Sequence, residues 1–154
     1  MKYALFLGCL ISAREPGYEL YARKVLPRLG IELIDMPETT CCAPFSIQSL
    51  DYIGWLSIAA RNLAIAEEMK LPLLAFCNDC YESLLMTNII LRDNQELRNK
   101  VNEVLSEVGK EYKGKVEVKH LLEVIHQDIG VNKIKDSVNG LLTESLILFT
   151  PMSW

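Results

Sequence analysis

The chain has five cysteines, Cys9, Cys41, Cys42, Cys77 and Cys80, spaced as Cys-x31-Cys-Cys-x34-Cys-x2-Cys. Thiols grouped in this way read as one coordination shell assembled from three loops rather than as scattered packing residues. Thiolate is the form of cysteine that binds metal. Cys77 and Cys80 are i and i+3, so at a helix start they share a face and sit at the positive end of the helix dipole. Cys41 and Cys42 are neighbours, and both can serve one site only if the loop turns between them. Five thiols exceed the four ligands of a tetrahedral zinc and favour a polynuclear iron–sulfur centre. Structural zinc from four of the five and a bare Cys77–Cys80 redox dithiol are the alternatives.

Three loops can meet only if the chain between them returns each time to the same edge. Residues 3–7 form a short apolar run, residues 31–34 a second and residues 72–76 a third, each read as a strand. Helical spacing marks residues 18–29, with Gly30 as the stop and Pro27 as a kink in the last turn. An alanine-rich helix spans about 50–69, and another spans 79–91 with Asn78 or Asp79 as its cap. The apolar positions from Leu97 to Tyr112 predict an amphipathic helix ended by Gly114. Residues 116–118 read as a fourth strand and residues 121–129 as a further helix. Alternation of this kind predicts an α/β fold, a mostly parallel sheet of about four to five short strands flanked by helices. In such sheets ligands sit beyond the carboxyl ends of the strands. Cys9 follows the first strand, Cys41 and Cys42 the second, and Cys77 and Cys80 the third.

Half of the 154 residues are hydrophobic and 23% are charged, which suits a soluble globular domain. A net charge of −4 argues against nucleic acid as a partner. No apolar run approaches the ~18–20 residues of a membrane span. The apolar stretch before Cys9 is shorter than the ~7–15 residues of an export signal, so a cytoplasmic protein is expected. There, cysteines bind metal or do chemistry more often than they form structural disulfides.

The cysteine pattern, with its surroundings, resembles the cysteine-rich CCG module found in the B subunit of heterodisulfide reductase. The supporting text is Phe6-Leu7-Gly8-Cys9, Ala59-Ala60-Arg61-Asn62-Leu63, Ala66-Glu67-Glu68-Met69 and Cys77-Asn78-x-Cys80-Tyr81. The resemblance covers roughly residues 1–140. It departs at Ala43, where a glycine often follows the paired cysteines, and in carrying one such module where the family usually has two. It implies a noncubane 4Fe–4S cluster held by Cys9, Cys41, Cys42, Cys77 and Cys80. It also implies an oxidoreductase subunit in methanogenesis-type metabolism, cleaving the disulfide of coenzyme M and coenzyme B. The implied partners are a flavin-containing subunit, a ferredoxin-like subunit and a second cysteine-rich module. A lone module is expected to be inactive alone. The competing expectation is a zinc-binding or thiol–disulfide assembly subunit without catalysis of its own.

Other residues are weaker signals. His120 and His126 are read as surface or partly buried histidines and Arg61 as solvated or salt-bridged. Pro44-Phe45 is read as a wall of the site or simple packing, and Glu67-Glu68 as a solvated face. Residues 1–140 are taken as one domain. Residues 141–154, with a strand at 145–150 after a turn at Asn139-Gly140, read as a tail or the start of a second module.

Overall fold

Among the described residues four strands, all parallel, make one sheet in the order β2-β1-β3-β4. They are β1 (Lys2–Phe6), β2 (Glu32–Asp35), β3 (Leu73–Ala75) and β4 (Val118–His120). The computed structural model describes residues 1–137. Contacts divide the chain into a unit of Met1–Leu121, which carries the whole sheet, and a second unit from Leu122 onward. The described part of the second unit is a π-helical turn, Val124–Ile129, and a short helix, Val131–Ser137. The expected strand at 145–150 lies outside the described residues.

The central strands are apolar because both faces of a parallel sheet are covered. Tyr3, Ala4, Leu5 and Phe6 of β1 are buried, as is all of β3. Register places Phe6 opposite Ala75, and Ala75 opposite His120. The two central strands therefore leave the sheet at the same level, and the chain after each starts from neighbouring points. Strand order reverses between β1 and β3, the kind of place where open α/β sheets bind ligands.

Helices join the strands. Between β1 and β2 run α1 (Gly8–Arg14) and α2 (Pro16–Val25). The periodic stretch to Leu29 does not stay α-helical. It tightens to a 3-10 turn over Leu26–Leu29, where Pro27 removes a donor, and Gly30 ends it at φ +85°. Helix α3 (Tyr52–Met69) connects β2 to β3. Asp51 caps it by accepting from the Gly54 N–H at 2.8 Å. Its alanines favour helix and let neighbours approach closely. Ala59, Ala60, Leu63 and Ala64 are fully buried against a core shared with Ala4, Phe6, Leu73 and Leu84.

After β3 come α4 (Asn78–Asp93) and α5 (Gln95–Ser106). The amphipathic pattern beyond Leu97 overruns its helix. Val101 and Leu105 are buried, but α5 stops at Ser106 and Val108 is exposed. Tyr112 keeps the pattern's apolar character by another route. It is buried, with its hydroxyl on the Asn88 side chain and its backbone paired to Asn102. Burial, and next the charge of Glu67, push its phenol up. The fourth strand begins two residues later than the sequence pattern suggests, at Val118.

Glu67 is not part of a solvated face. Its carboxylate accepts backbone N–H bonds from Lys113, Lys115 and Val116. It thereby ties α3 to the segment entering β4, while Glu68 pairs with Lys110 at 2.7 Å. Glu67→Gln turns one of the accepting oxygens into a donor facing N–H groups. A loss of about 2 kcal/mol is expected, read from urea denaturation as a lower midpoint at unchanged slope.

Candidate metal centre

All five cysteines fall at the carboxyl edge of the sheet, on the segments that follow β1, β2 and β3. Cys9 lies in the first turn of α1, Cys41 and Cys42 in the loop after β2, Cys77 at the N-cap of α4 and Cys80 in its first turn. Neither Asn78 nor Asp79 is the cap. The chain is still extended at Cys77 (φ −94°, ψ 132°), so that residue takes the position, without a side-chain cap bond.

The thiols form a row. Cys42 and Cys80 are buried, with sulfurs 3.2 Å apart. That is far longer than the ~2.05 Å of a disulfide, and all five cysteines are free. Cys41 stands beside Cys42 on one side and beside Cys9 on the other, and Cys77 stands beside Cys80. These neighbour pairs link the five thiols in succession as Cys9–Cys41–Cys42–Cys80–Cys77. The Cys9 and Cys41 end is exposed. It opens on a cavity of about 330 Å³ lined by both with Ser12, Thr39 and Thr40. Among the described residues no three cysteine, histidine or acidic side chains are grouped to hold a single ion.

Charge is unevenly shared along this row. Cys42 is held below the usual thiol range because the Cys80 thiol donates to it. Cys80 is pushed far up, first by holding that proton against Cys42 and then by burial. The expected pull of the α4 dipole toward a Cys80 thiolate is opposed by the neighbouring sulfurs and by burial, which raise that thiol. Cys41 is raised by the burial its sulfur does have, against an N–H bond from Ala43 that lowers it.

The geometry depends on residues with no thiol. Gly8 sits at φ +70°, the turn that lets the chain pass from β1 into α1. A Cβ built there would lie 2.7 Å from Cys80 Sγ. Absence of a side chain is what lets this backbone lie against the sulfur. The loop from Glu38 to Ala43 is bonded along its length by α3 and α4. Arg61 Nη1 donates to the Glu38 carbonyl at 2.7 Å, so this arginine is a loop anchor. Asn62 accepts from Thr40 N–H at 3.0 Å and donates to the Cys41 carbonyl at 3.1 Å. Ser83 Oγ lies 2.9 Å from the Cys42 carbonyl and 2.7 Å from that of Ala43. Trp55 Nε1 donates to the Ala43 carbonyl at 3.0 Å. Ala43 itself has φ +57°, a left-handed turn directly after the paired cysteines. A glycine would adopt that turn without strain, and the alanine methyl offsets part of the strain by its burial in the core.

Asn62, Ser83 and Trp55 carry no metal-binding signal in sequence. Their only hints are a polar residue inside an alanine-rich helix and a serine three positions after Cys80. His120 ends β4, buried, with its ring 5.3 Å from that of Tyr81. His126 is exposed. Phe45 packs edge-on against Trp55 at 5.6 Å, behind the cysteine loop.

Residues 3–85 match the family model described as a cysteine-rich (CCG) domain, a span that holds all five cysteines with Trp55, Asn62 and Ser83. In Archaeoglobus profundus, a protein described as like the B subunit of heterodisulfide reductase is 40% identical over 152 residues, covering 98% of this chain and 51% of that one. In Methanosarcina acetivorans, the B subunit of the ferredoxin/F420H2-dependent CoB-CoM heterodisulfide reductase is 38% identical over 138 residues, covering 89% and 46%. The membrane anchor subunit of the 8-methylmenaquinol:fumarate reductase of Wolinella succinogenes is 31% identical over 142 residues, covering 91% and 49%. The chain thus spans about half the length of these relatives. A crystal structure of a hypothetical protein from Helicobacter pylori superposes with a TM-score of 0.72 at 25% identity, covering 82% of this chain and 25% of that one. Among the described residues no helix is long and apolar enough to cross a membrane.

Proposed function

This chain belongs to the cysteine-rich (CCG) domain family, and on that premise we propose that it is an iron–sulfur redox module of a heterodisulfide reductase-like complex. The observation that carries the reading is the row of five thiols on one sheet edge. A mononuclear ion needs its ligands gathered around one point. Here the thiols are paired in succession, which suits a group offering several metal atoms. Cys9, Cys41, Cys42, Cys77 and Cys80 would hold that group, a 4Fe–4S cluster of the noncubane type. When bound, such a cluster would supply one-electron transfer and iron with an affinity for sulfur, the chemistry that a stepwise disulfide cleavage needs.

The chain's own residues supply position and access. Gly8 lets the β1 turn lie against Cys80. Arg61, Asn62, Ser83 and Trp55 hold the loop that presents Cys41 and Cys42. Burial of Cys42 and Cys80 excludes water from one side, while Cys9 and Cys41 face the cavity by which a disulfide would enter. The proposed substrate is the disulfide of coenzyme M and coenzyme B. Flavin-containing and ferredoxin-like subunits would deliver the electrons in the cytoplasm, and a second cysteine-rich module would face the substrate from the other side.

The 3.2 Å approach of Cys42 and Cys80 favours one other reading, a metal-free thiol–disulfide couple. Stepwise reduction of the anaerobically reconstituted chain separates the two. The cluster reading expects reversible bleaching of visible absorbance with one electron per chain. A colourless chain that takes up two electrons only after oxidation, with loss of two free thiols on that oxidation, would favour the dithiol.

A further inference from the structure

Cys42 is gripped at two points by one helix. Cys80 and Ser83 are three residues apart on α4 and share a face. The Cys80 sulfur meets the Cys42 sulfur at 3.2 Å, and the Ser83 hydroxyl meets the Cys42 carbonyl at 2.9 Å. Ser83 also lies 2.7 Å from the Ala43 carbonyl. A serine hydroxyl has one proton and can donate to only one of these carbonyls at a time. Trp55, from α3, supplies the second donor. Its Nε1 lies 3.0 Å from the Ala43 carbonyl and 3.0 Å from Ser83 Oγ. Both side chains are fully buried, so no water stands ready to replace them. The carbonyls they hold flank the one residue in this turn, Ala43, whose φ of +57° an L-residue resists.

We propose that Ser83, backed by Trp55, is a positioning residue that locks the Cys42-Ala43 turn and so holds the Cys42 sulfur against Cys80. The lock acts through the main chain and needs no metal. It rests on the cluster reading only for its consequence, that a loosened Cys42 presents a poorer ligand. Without the two donors the Ala43 peptide has less reason to stay in its strained turn. Cys42 can then rotate out of the buried row toward the exposed loop.

The test uses the full chain, reduced and metal-free, with iodoacetamide as the probe and peptide mass spectrometry to follow each cysteine. Ser83→Ala should raise the alkylation rate of Cys42 about tenfold, the population shift expected from losing one buried hydrogen bond. Cys9, already exposed, should not change. Trp55→Phe, which keeps an aromatic ring and removes the N–H, should act in the same direction and decides the matter if Ser83→Ala does not fold. Ser83→Thr should restore the slow rate. Thr87→Ala, one turn further along α4 and equally buried, should leave Cys42 unchanged. Unchanged Cys42 reactivity in Ser83→Ala and Trp55→Phe, or an equal rise in Thr87→Ala, would overturn the proposal. Iron and sulfide loading of the same proteins separates it from the cluster reading. A wild-type chain that loads neither counts against the cluster and leaves the alkylation result standing. A wild-type chain that loads normally, with no Cys42 response, counts against the lock alone.

Discussion

Replacing Cys80 by serine is expected to remove nearly all iron and sulfide from the chain, a fall of at least about tenfold after anaerobic reconstitution. Cys80 stands between Cys42 and Cys77, with a sulfur neighbour on either side, and is 4% exposed. It is fixed by the first turn of a 16-residue helix, so no neighbouring backbone can move in to replace its sulfur. A serine oxygen is a poorer ligand for iron than a thiolate and reaches less far from the helix. Cys42→Ser should be nearly as severe, since that sulfur shares the buried pair. Cys9→Ser and Cys41→Ser act at the exposed end of the row, where a solvent or substrate atom can complete a metal's shell. They should leave a smaller or altered centre. Iron and acid-labile sulfide per chain, with circular dichroism to show that each variant folds, are the measurements. Normal loading of Cys80→Ser would remove that residue from the ligand set.

Gly8→Ala should be strongly destabilising. Two costs coincide there. An L-residue at φ +70° is penalised by roughly 1–2 kcal/mol. The new Cβ would also come to 2.7 Å from Cys80 Sγ, nearer than such atoms approach, and that sulfur is already held by Cys42. Relief requires the sulfur or the β1–α1 turn to shift, at a further cost of about 1–3 kcal/mol. A fall of about 10 °C in the melting midpoint follows for a chain of this size. Cluster loading should fall with it, because the displaced atom is itself a ligand. Gly17→Ala is the matched control. Gly17 lies in α2 with nothing within 4 Å of a built Cβ, and alanine there should be neutral or slightly stabilising. Equal melting points for the two variants would show that the close approach at Gly8 carries no weight.

The parallel sheet and the gathering of the cysteine segments at one edge were legible in the sequence, because they rest on coarse patterns. Apolar runs such as 72–76 are too short for helices, and intervals above thirty residues between the thiol-bearing loops fit one βα unit each. Gly30 and Pro27 announced their turn by backbone chemistry alone. Helix α1 was not legible, since Gly8 reads as a breaker and only the close approach to Cys80 shows it as a joint. The expected helix overran α5 because apolar spacing continues into Tyr112, whose polar groups are satisfied by Asn88 and Asn102 outside the helix. The cap at Cys77 was missed because Asn78 and Asp79 have the better capping side chains, and the backbone bends one residue sooner. The anchoring roles of Arg61, Asn62, Ser83 and Glu67 are tertiary. Each bonds to backbone twenty or more residues away, and nothing local in sequence marks such a partner.

Whether five thiols in a row hold a polynuclear iron–sulfur group is decided by chemical analysis of the wild-type chain. The protein is reconstituted anaerobically with iron, sulfide and zinc all present and then desalted. The expected result is about four iron and about four acid-labile sulfide per chain, with little zinc and a brown solution. One zinc per chain without sulfide, or five free thiols with no metal at all, would contradict the cluster assignment.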